Sequence, residues 1–207
     1  MLNKLRFHIL HSNLLCIKLL VLINITMSLL PFTTTLKNGT QITIRLATIN
    51  DSATLLALIK EYLDNSEYIP LNAIDFTKTP RDIANWINQL NTSANSLMLV
   101  AEHQGELIGN LDLTGHHRNT MLHTAVLGMG IAMNWRNTGV GTLLLKTALE
   151  WAKNSHLEII SLDVYTENKS GIALYQKLGF KEVGVIPDFI KDNDRYYDNM
   201  KMWLSLR

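Results

Sequence analysis

Residues 136 to 142 have the composition of a phosphate-binding turn. They lie between an apolar stretch with strand character and a stretch whose apolar residues repeat at helical spacing. Gly139 and Gly141 let the main chain approach a bulky ligand, because no Cβ stands in the way. The first amides of the following helix lack partners inside the helix, so together with the helix dipole they can hold an anion. An ordinary tight strand-to-helix connection also uses glycine, so that interpretation stays open. The residues are Arg136, Asn137, Thr138, Gly139, Val140, Gly141 and Thr142.

A second motif lies further along the chain. Residues 159–165 alternate as a strand, a polar turn follows, and a short helix ends at Gly179, where a left-handed C-terminal cap is expected. The motif reads Asn168-x-x-x-x-Ala173-x-Tyr175-x-Lys177-x-Gly179-Phe180. Together with the glycine turn, in this order and spacing, it resembles the GCN5-related N-acetyltransferase (GNAT) superfamily over residues 41–207. Within that superfamily, the chain resembles enzymes that act on small amines, amino acids or protein N-termini.

The resemblance implies acetyl-coenzyme A as co-substrate. It places the pyrophosphate on the main-chain amides of residues 136–142 and the pantetheine arm beside a strand and the second motif. The strand residues are Met129, Gly130 and Ile131, and the motif residues are Asn168, Tyr175 and Lys177. Gly128 and Gly130 suit either a bulge with close approach of a ligand or simple packing against a neighbour. A role as helix N-cap would also explain the asparagine at position 168, and this role is compatible with binding the cofactor.

Acetyl transfer to an amine requires a proton for the departing thiolate. Tyr175 is the expected general acid, because a phenol with a pKa near 10 stays protonated at neutral pH while a thiol has a pKa nearer 8.5. The resemblance implies the same role. The alternative is a core aromatic residue with a hydrated hydroxyl, since Tyr175 lies three residues after the apolar Ile172.

The base that makes the amine neutral is not assigned by the sequence. Similar enzymes often carry Glu ten residues before the arginine of the turn, and here that position is Val126. Either a water chain serves, or another acid does. Glu167, Asp112 and Asp163 are candidates, and each fits a surface or turn residue better than a base. The hairpin residues 189–200 resemble an acceptor-site hairpin, in which Tyr196, Tyr197 and Asp198 could contact a cationic amine.

Composition narrows the classes of function. A chain of 207 residues with 47% hydrophobic residues can form one domain with a sizeable core, and a net charge of +1 gives no argument for nucleic acid. The single cysteine, Cys16, excludes an intramolecular disulfide and a cysteine-rich metal site. No metal is expected, because His116, His117 and His123 gather around a predicted turn without the spacing of metal ligands.

The N-terminal segment allows three interpretations. The apolar stretch 14–23 is interrupted by Lys18 and is short for a membrane span, which needs about 20 apolar residues. Translation could start at Met27, the stretch could be a membrane-associated helix, or it could be a secretory signal without a clear cleavage site. We expect residues 1–36 to be an apolar extension and residues 41–207 to be the N-acetyltransferase domain.

Periodicity predicts an α+β fold with the order β-α-α-β-β-β-α-β-α-β-β. The resemblance implies the GNAT fold, a mixed and mostly antiparallel sheet of about seven strands with four helices. We therefore expect a cytoplasmic N-acetyltransferase that moves an acetyl group to a primary amine by direct attack. The alternative is a non-catalytic acyl-CoA-binding or regulatory module. The acceptor is a small-molecule amine or a protein N-terminus, nucleic acid is not expected, membrane contact depends on residues 1–36, and a homodimer is an open option.

Overall fold

The computed structural model describes residues 31–71 and 73–207. This part of the chain contains eight strands and four helices, with three single 3₁₀ turns and one longer connection at residues 65–79. The predictions for residues 1–30 lie outside it. In chain order the elements are β1 (Phe32–Thr35), β2 (Gln41–Leu46), α1 (Ser52–Asp64), α2 (Pro80–Thr92), β3 (Leu97–His103), β4 (Glu106–Gly115), β5 (Thr124–Ile131), α3 (Val140–Lys153), β6 (Ile159–Tyr165), α4 (Lys169–Lys177), β7 (Lys181–Asp192) and β8 (Arg195–Ser205).

All eight strands belong to one mixed sheet. Their order is β1-β2-β3-β4-β5-β6-β8-β7, and every neighbouring pair is antiparallel except β5 and β6. The predicted fold class and element order are confirmed. The strand β1 is additional to the predicted order, and it pairs with β2 at the sheet edge. Its sequence, Phe-Thr-Thr-Thr, carries no apolar alternation, so periodicity could not reveal it.

Helices cover both faces of the sheet. On one face α3 packs against the central strands, with Leu144 and Leu111 inaccessible to solvent. On the other face α1 and α2 pack, with Leu55 and Ile83 buried against Met98 of β3. Successive residues of β3 serve opposite cores, because side chains alternate across a strand.

The helix boundaries follow from local chemistry. Thr79 accepts a hydrogen bond from the amide of Asp82, the Asp82 carboxylate accepts one from the amide of Thr79, and Pro80 begins the helix. Asp51 precedes α1, but its carboxylate accepts hydrogen bonds from Thr48 and Arg45 instead of capping the helix. Gly179 has φ of 94°, the left-handed conformation predicted for it.

None of the helices in the described ranges is both long enough and apolar enough to cross a bilayer.

Candidate active site

The strands β5 and β6 separate and leave a cleft in the sheet. Their parallel pairing consists of three residue pairs and ends at Val126 and Ser161. Beyond that point β5 stays paired with β4 as far as Ile131, and β6 stays paired with β8 as far as Tyr165. The edges of β5 and β6 that face each other are therefore free of strand partners in the described sheet. We call the space between residues 127–131 and 162–165 the β5–β6 cleft.

The predicted phosphate-binding turn connects β5 to the start of α3. It requires two left-handed residues, Asn137 with φ of 62° and Gly139 with φ of 105°. Asparagine adopts this conformation more readily than most residues with a side chain, and glycine adopts it without strain. The Thr138 hydroxyl donates to the carbonyl of Trp135 (2.6 Å) and fixes the turn. The first helical hydrogen bond then runs from the Leu143 amide to the Gly139 carbonyl (3.1 Å).

The amides of residues 137–142 find no acceptor among the described residues. In the described part of the chain, neither a backbone carbonyl nor a side chain accepts a hydrogen bond from any of them. Several neighbouring N–H groups at the positive end of a 14-residue helix form an anion site by their geometry. Within residues 31–71 and 73–207, the turn is therefore free of protein acceptors.

Two side chains of the turn serve mainly to hold it in place. Arg136 donates to the carbonyls of Ile131 (3.3 Å) and Asn65 (2.7 Å), so its guanidinium joins the turn to β5 and to the end of α1. Val140 is fully buried under the turn, and its predicted contact with the cofactor stays a prediction. A direct contact of the Arg136 side chain with the cofactor stays a prediction.

The second motif lies on α4, on the far side of the cleft. Asn168 is the N-cap of α4, because its Oδ1 accepts from the amide of Gly171 (2.9 Å) and from the Ser170 hydroxyl (3.2 Å). Its use as a cap leaves the side-chain amide N–H groups for a second role. Lys177 is exposed in the last turn of α4, where its charge suits the helix dipole. The contacts of both residues with the cofactor remain predictions.

Tyr175 is buried on the core side of α4. It is 9% exposed and packs against Phe180, with ring centroids 5.9 Å apart. Burial raises the pKa of its phenol to about 12, so the hydroxyl keeps its proton at every physiological pH. Its oxygen makes no hydrogen bond within residues 31–71 and 73–207. Core packing and proton donation are thus compatible at this residue.

The two glycines of β5 make room for neighbouring side chains. A Cβ on Gly128 would lie 2.6 Å from Oδ1 of Asp112, and one on Gly130 would lie 2.2 Å from the ring of Tyr62. The pairing of β4 with β5 runs without a register shift, so the bulge considered from the sequence is absent there. Packing explains both glycines, and the predicted contacts of the β5 main chain with pantetheine remain predictions.

The three candidate bases have different surroundings. The Asp163 carboxylate accepts from Asn199 (2.9 Å) and pairs with Lys201 (2.8 Å). Glu167 accepts from the hydroxyl of its neighbour Thr166 (3.1 Å) in the turn before α4. Asp112 is neither a surface nor a turn residue, and that expectation is wrong for it. Its side chain projects from β4 over Gly128, and burial raises its pKa to about 6.

Three tyrosines line the end of β6. Tyr165 packs edge-on against Tyr197 (centroids 5.3 Å apart) and against Tyr68 (6.1 Å). The row joins the β7–β8 hairpin to the segment between α1 and α2. Tyr196 is more than half exposed, and Asp198 accepts from the amide of Asp188 (2.9 Å). Sequence reasoning named the hairpin but missed Tyr68 and Tyr165, because only the fold brings them together.

Comparison with known proteins agrees with this geometry. Residues 57–180 match the model of the acetyltransferase (GNAT) family. The L-amino acid N-acetyltransferase AaaT of Escherichia coli is 28% identical over 114 residues, which is 55% of this chain and 70% of that protein. The GNAT-family acetyltransferase of Streptococcus pneumoniae has a TM-score of 0.77 at 27% identity, covering 79% of this chain and 99% of that one.

A third structure, yncA from Salmonella typhimurium with its cofactor acetyl-CoA, has a TM-score of 0.73 at 20% identity. It covers 80% of this chain and 94% of that one. At this identity it supports the fold alone. The family model spans more than half of the chain and includes the turn, the β5–β6 cleft and α4. The chain therefore belongs to the acetyltransferase (GNAT) family.

Proposed function

We propose that this protein is an acetyl-CoA-dependent N-acetyltransferase that moves an acetyl group to a primary amine by direct attack. The observation that supports this most strongly is the set of amides at residues 137–142, at the start of α3 beside the β5–β6 cleft, which have no acceptor in the part of the chain that the structure describes. A diphosphate has the charge and the oxygen acceptors that such amides require. The family membership supports the same reaction class.

Different residues around the cleft would bind the cofactor and transfer the proton. The turn would hold the diphosphate, and the free edge of β5 at residues 129–131 would hold the pantetheine arm by main-chain hydrogen bonds. Main-chain donors near the thioester carbonyl would stabilise negative charge as it develops there. Tyr175, protonated because of its burial, would supply a proton to the departing sulfur.

The acceptor is proposed to be a small amine, with L-amino acids as the first class to test. The name of the Escherichia coli relative supports this order. Protein N-termini are the alternative acceptor class.

Release of free thiol from acetyl-CoA tests the proposal. The purified protein is mixed with acetyl-CoA and with panels of L-amino acids, amines without a carboxylate, and peptides with free N-termini. Thiol release that depends on one class of acceptor supports the proposed enzymatic activity and identifies that class as the acceptor. Tight binding of acetyl-CoA by calorimetry without thiol release from any panel would support a non-catalytic module instead.

We also propose that the protein acts in the cytoplasm, where acetyl-CoA is available. The N-acetyltransferase domain is proposed to cover residues 41–207, with residues 1–36 as an extension and Met27 as an alternative start. Cell fractionation of chains started at Met1 and at Met27 tests both points. A homodimer is tested by light scattering.

A further inference from the structure

We propose that Asp112 is the general base that takes a proton from the acceptor amine. This inference rests on the proposed function and supplies the group that the sequence left unassigned. It follows from where the fold places a carboxylate that is distant from both sequence motifs.

Asp112 lies beside the mouth of the β5–β6 cleft. It is directly opposite Gly128 in the pairing of β4 with β5, and its Oδ1 occupies the space that a side chain at residue 128 would need. Gly128 follows Val126 by two residues, and Val126 is the last residue of β5 paired with β6. Because side chains alternate along a strand, Val126 and Gly128 share a face. The Asp112 carboxylate therefore lies on that face where the strands begin to part.

The surroundings of Asp112 suit a base. Thr114 donates to Oδ2 (2.9 Å), which orients the carboxylate and leaves Oδ1 over Gly128. From α1 the phenol of Tyr62 faces it, and from β3 the neutral Met98 pairs with it. In the described part of the chain, no charged group contributes to the shift of the Asp112 pKa, which desolvation alone raises. The residue is only partly exposed, so its proton affinity is well above that of a surface aspartate.

A buried acceptor atom lies beside the carboxylate. Asn110, two residues before Asp112 and opposite Gly130, is 1% exposed, and its Oδ1 lacks a hydrogen-bond partner within the described residues. The Tyr62 phenol of α1 is within hydrogen-bond reach of the Asn110 side chain. Asn110 therefore helps to fix the face of β4 on which Asp112 lies.

The other two acids are less suited to the role. Both carboxylate oxygens of Asp163 are already engaged, one by Asn199 and the other by Lys201. Glu167 lies in the turn before α4, where Thr166 donates to it. Of the three candidate acids, only Asp112 combines burial that raises its pKa with a position on β4 beside the cleft.

The proton balance of the step is as follows. The ammonium group of the acceptor gives one proton to Asp112, directly or through one water molecule. The nitrogen lone pair then forms the C–N bond with the thioester carbon, and the C–S bond breaks with its electron pair leaving on sulfur. The sulfur receives a proton from Tyr175, and the second nitrogen proton restores that of the tyrosine. Asp112 releases its proton to solvent, so one proton is set free per acetyl group.

Replacement of Asp112 by Asn tests the proposal through the pH dependence of kcat. Measured at saturating acetyl-CoA and amine, kcat reports ionisations in the complex and not that of the free amine. We expect the wild-type protein to lose activity below a midpoint near pH 6. Asp112→Asn should lower kcat about 10²-fold or more and remove that acidic limb. A folded Asp112→Asn variant that keeps both kcat and the limb would overturn the proposal.

A second variant tests the same point without removing the carboxylate. Thr114→Val deletes the hydroxyl that donates to Asp112 but keeps the branched shape suited to a strand. Because that hydrogen bond favours the ionised carboxylate, its loss should raise the pKa and move the acidic limb of kcat to higher pH. Thr114→Ser should restore the wild-type midpoint. A limb unchanged in a folded Thr114→Val variant would show that the base is elsewhere.

A rescue and a matched control complete the design. Val126→Glu, added to Asp112→Asn, places a carboxylate on the same face of the neighbouring strand and should recover at least tenfold of the lost kcat. Asp163→Asn removes an acid of β6 that is already paired, and its pH profile should match the wild-type profile.

Failure of the wild-type protein to release thiol with every amine tested would refute the proposed function itself. An active wild type with an unaltered Asp112→Asn profile would refute only the role of Asp112.

Discussion

Tyr175 is the residue whose replacement most directly tests how the thiolate leaves. Tyr175→Phe removes the hydroxyl and keeps the ring that packs against Phe180, so folding should be preserved. Because burial keeps the phenol protonated, we expect kcat to fall about 10²-fold while the affinity for acetyl-CoA changes little. Steady-state kinetics and calorimetry on the same preparation measure the two effects. A kcat equal to that of the wild type would remove Tyr175 from the chemistry.

Asp112 should also affect how stability depends on pH. Its pKa rises from 3.8 to about 6 on folding, so the folded protein favours the protonated carboxyl. The free energy of unfolding is therefore highest, as far as this carboxyl is concerned, below pH 3.8. It falls as the pH rises through 6 and stays lower above that pH. Allowing for partial exposure, the loss at pH 8 is about 1–2 kcal/mol.

Asp112→Asn should remove this pH-dependent loss. The variant should gain about 1–2 kcal/mol relative to the wild type at pH 8 and gain little at pH 4. Urea unfolding at the two pH values measures the difference. An equal difference at both pH values would mean that the carboxylate is not destabilised by burial. A gain at pH 8 together with lost activity would identify Asp112 as a residue that costs stability for function.

At the scale of elements, the turn before α3 distinguishes two glycines that look alike in the sequence. Gly139 has φ of 105°, which residues with a side chain rarely adopt, whereas Gly141 is helical. A Cβ on Gly141 would meet Leu174 and Met129 at 3.5 and 3.6 Å, which is ordinary contact. Only Gly139 is therefore required by the backbone conformation.

Alanine substitutions at these two positions form a matched pair. Gly139→Ala should lower stability by about 1–2 kcal/mol and weaken acetyl-CoA binding at least tenfold, because the amides of the turn lose their common direction. Gly141→Ala should bind acetyl-CoA as the wild type does and be slightly more stable, by about 0.5–1 kcal/mol. Calorimetry and thermal unfolding measure both. Unweakened binding in Gly139→Ala would contradict the assignment of the turn to the diphosphate.

The elements also show why the sequence predicted one part of the site and not another. The turn at 136–142 and the start of α4 are local, since residue types and periodicity along one stretch define them. The position of Asp112 depends on the register that places it opposite Gly128, sixteen positions later in a different strand. The contact of Tyr165 with Tyr68 likewise joins segments far apart in the chain. Along the sequence itself, the only hints were the alternation of the polar residues Asn110, Asp112 and Thr114 in one strand and the two glycines in the next. That the glycines leave room for these side chains is visible only in the fold.

The edge strand β1 leads into a residue that packs under the candidate active site. Leu36, directly after β1, is 5% exposed and belongs to the core under α3. Its Cδ2 lies 3.9 Å from the position of a Cβ on Gly139, so it supports the phosphate-binding turn from below. The predicted domain limit at residue 41 excludes Leu36 and β1. The turn thus depends on a segment that sequence patterns assigned to an extension.

Truncation tests this connection. A chain started at Met27 keeps β1 and Leu36, and we expect its melting temperature and acetyl-CoA affinity to equal those of the chain started at Met1. A chain started at Asn38 loses the strand paired with β2 and a buried leucine, which should cost about 2–5 kcal/mol and weaken acetyl-CoA binding. Leu36→Ala in the full chain is the matched point variant, and it should reproduce part of both losses because the cavity lies under Gly139. Full stability and affinity in the chain started at Asn38 would show that the sheet and the turn are complete without β1. A deficit in the chain started at Met27 would show that residues 1–26 contribute to the domain.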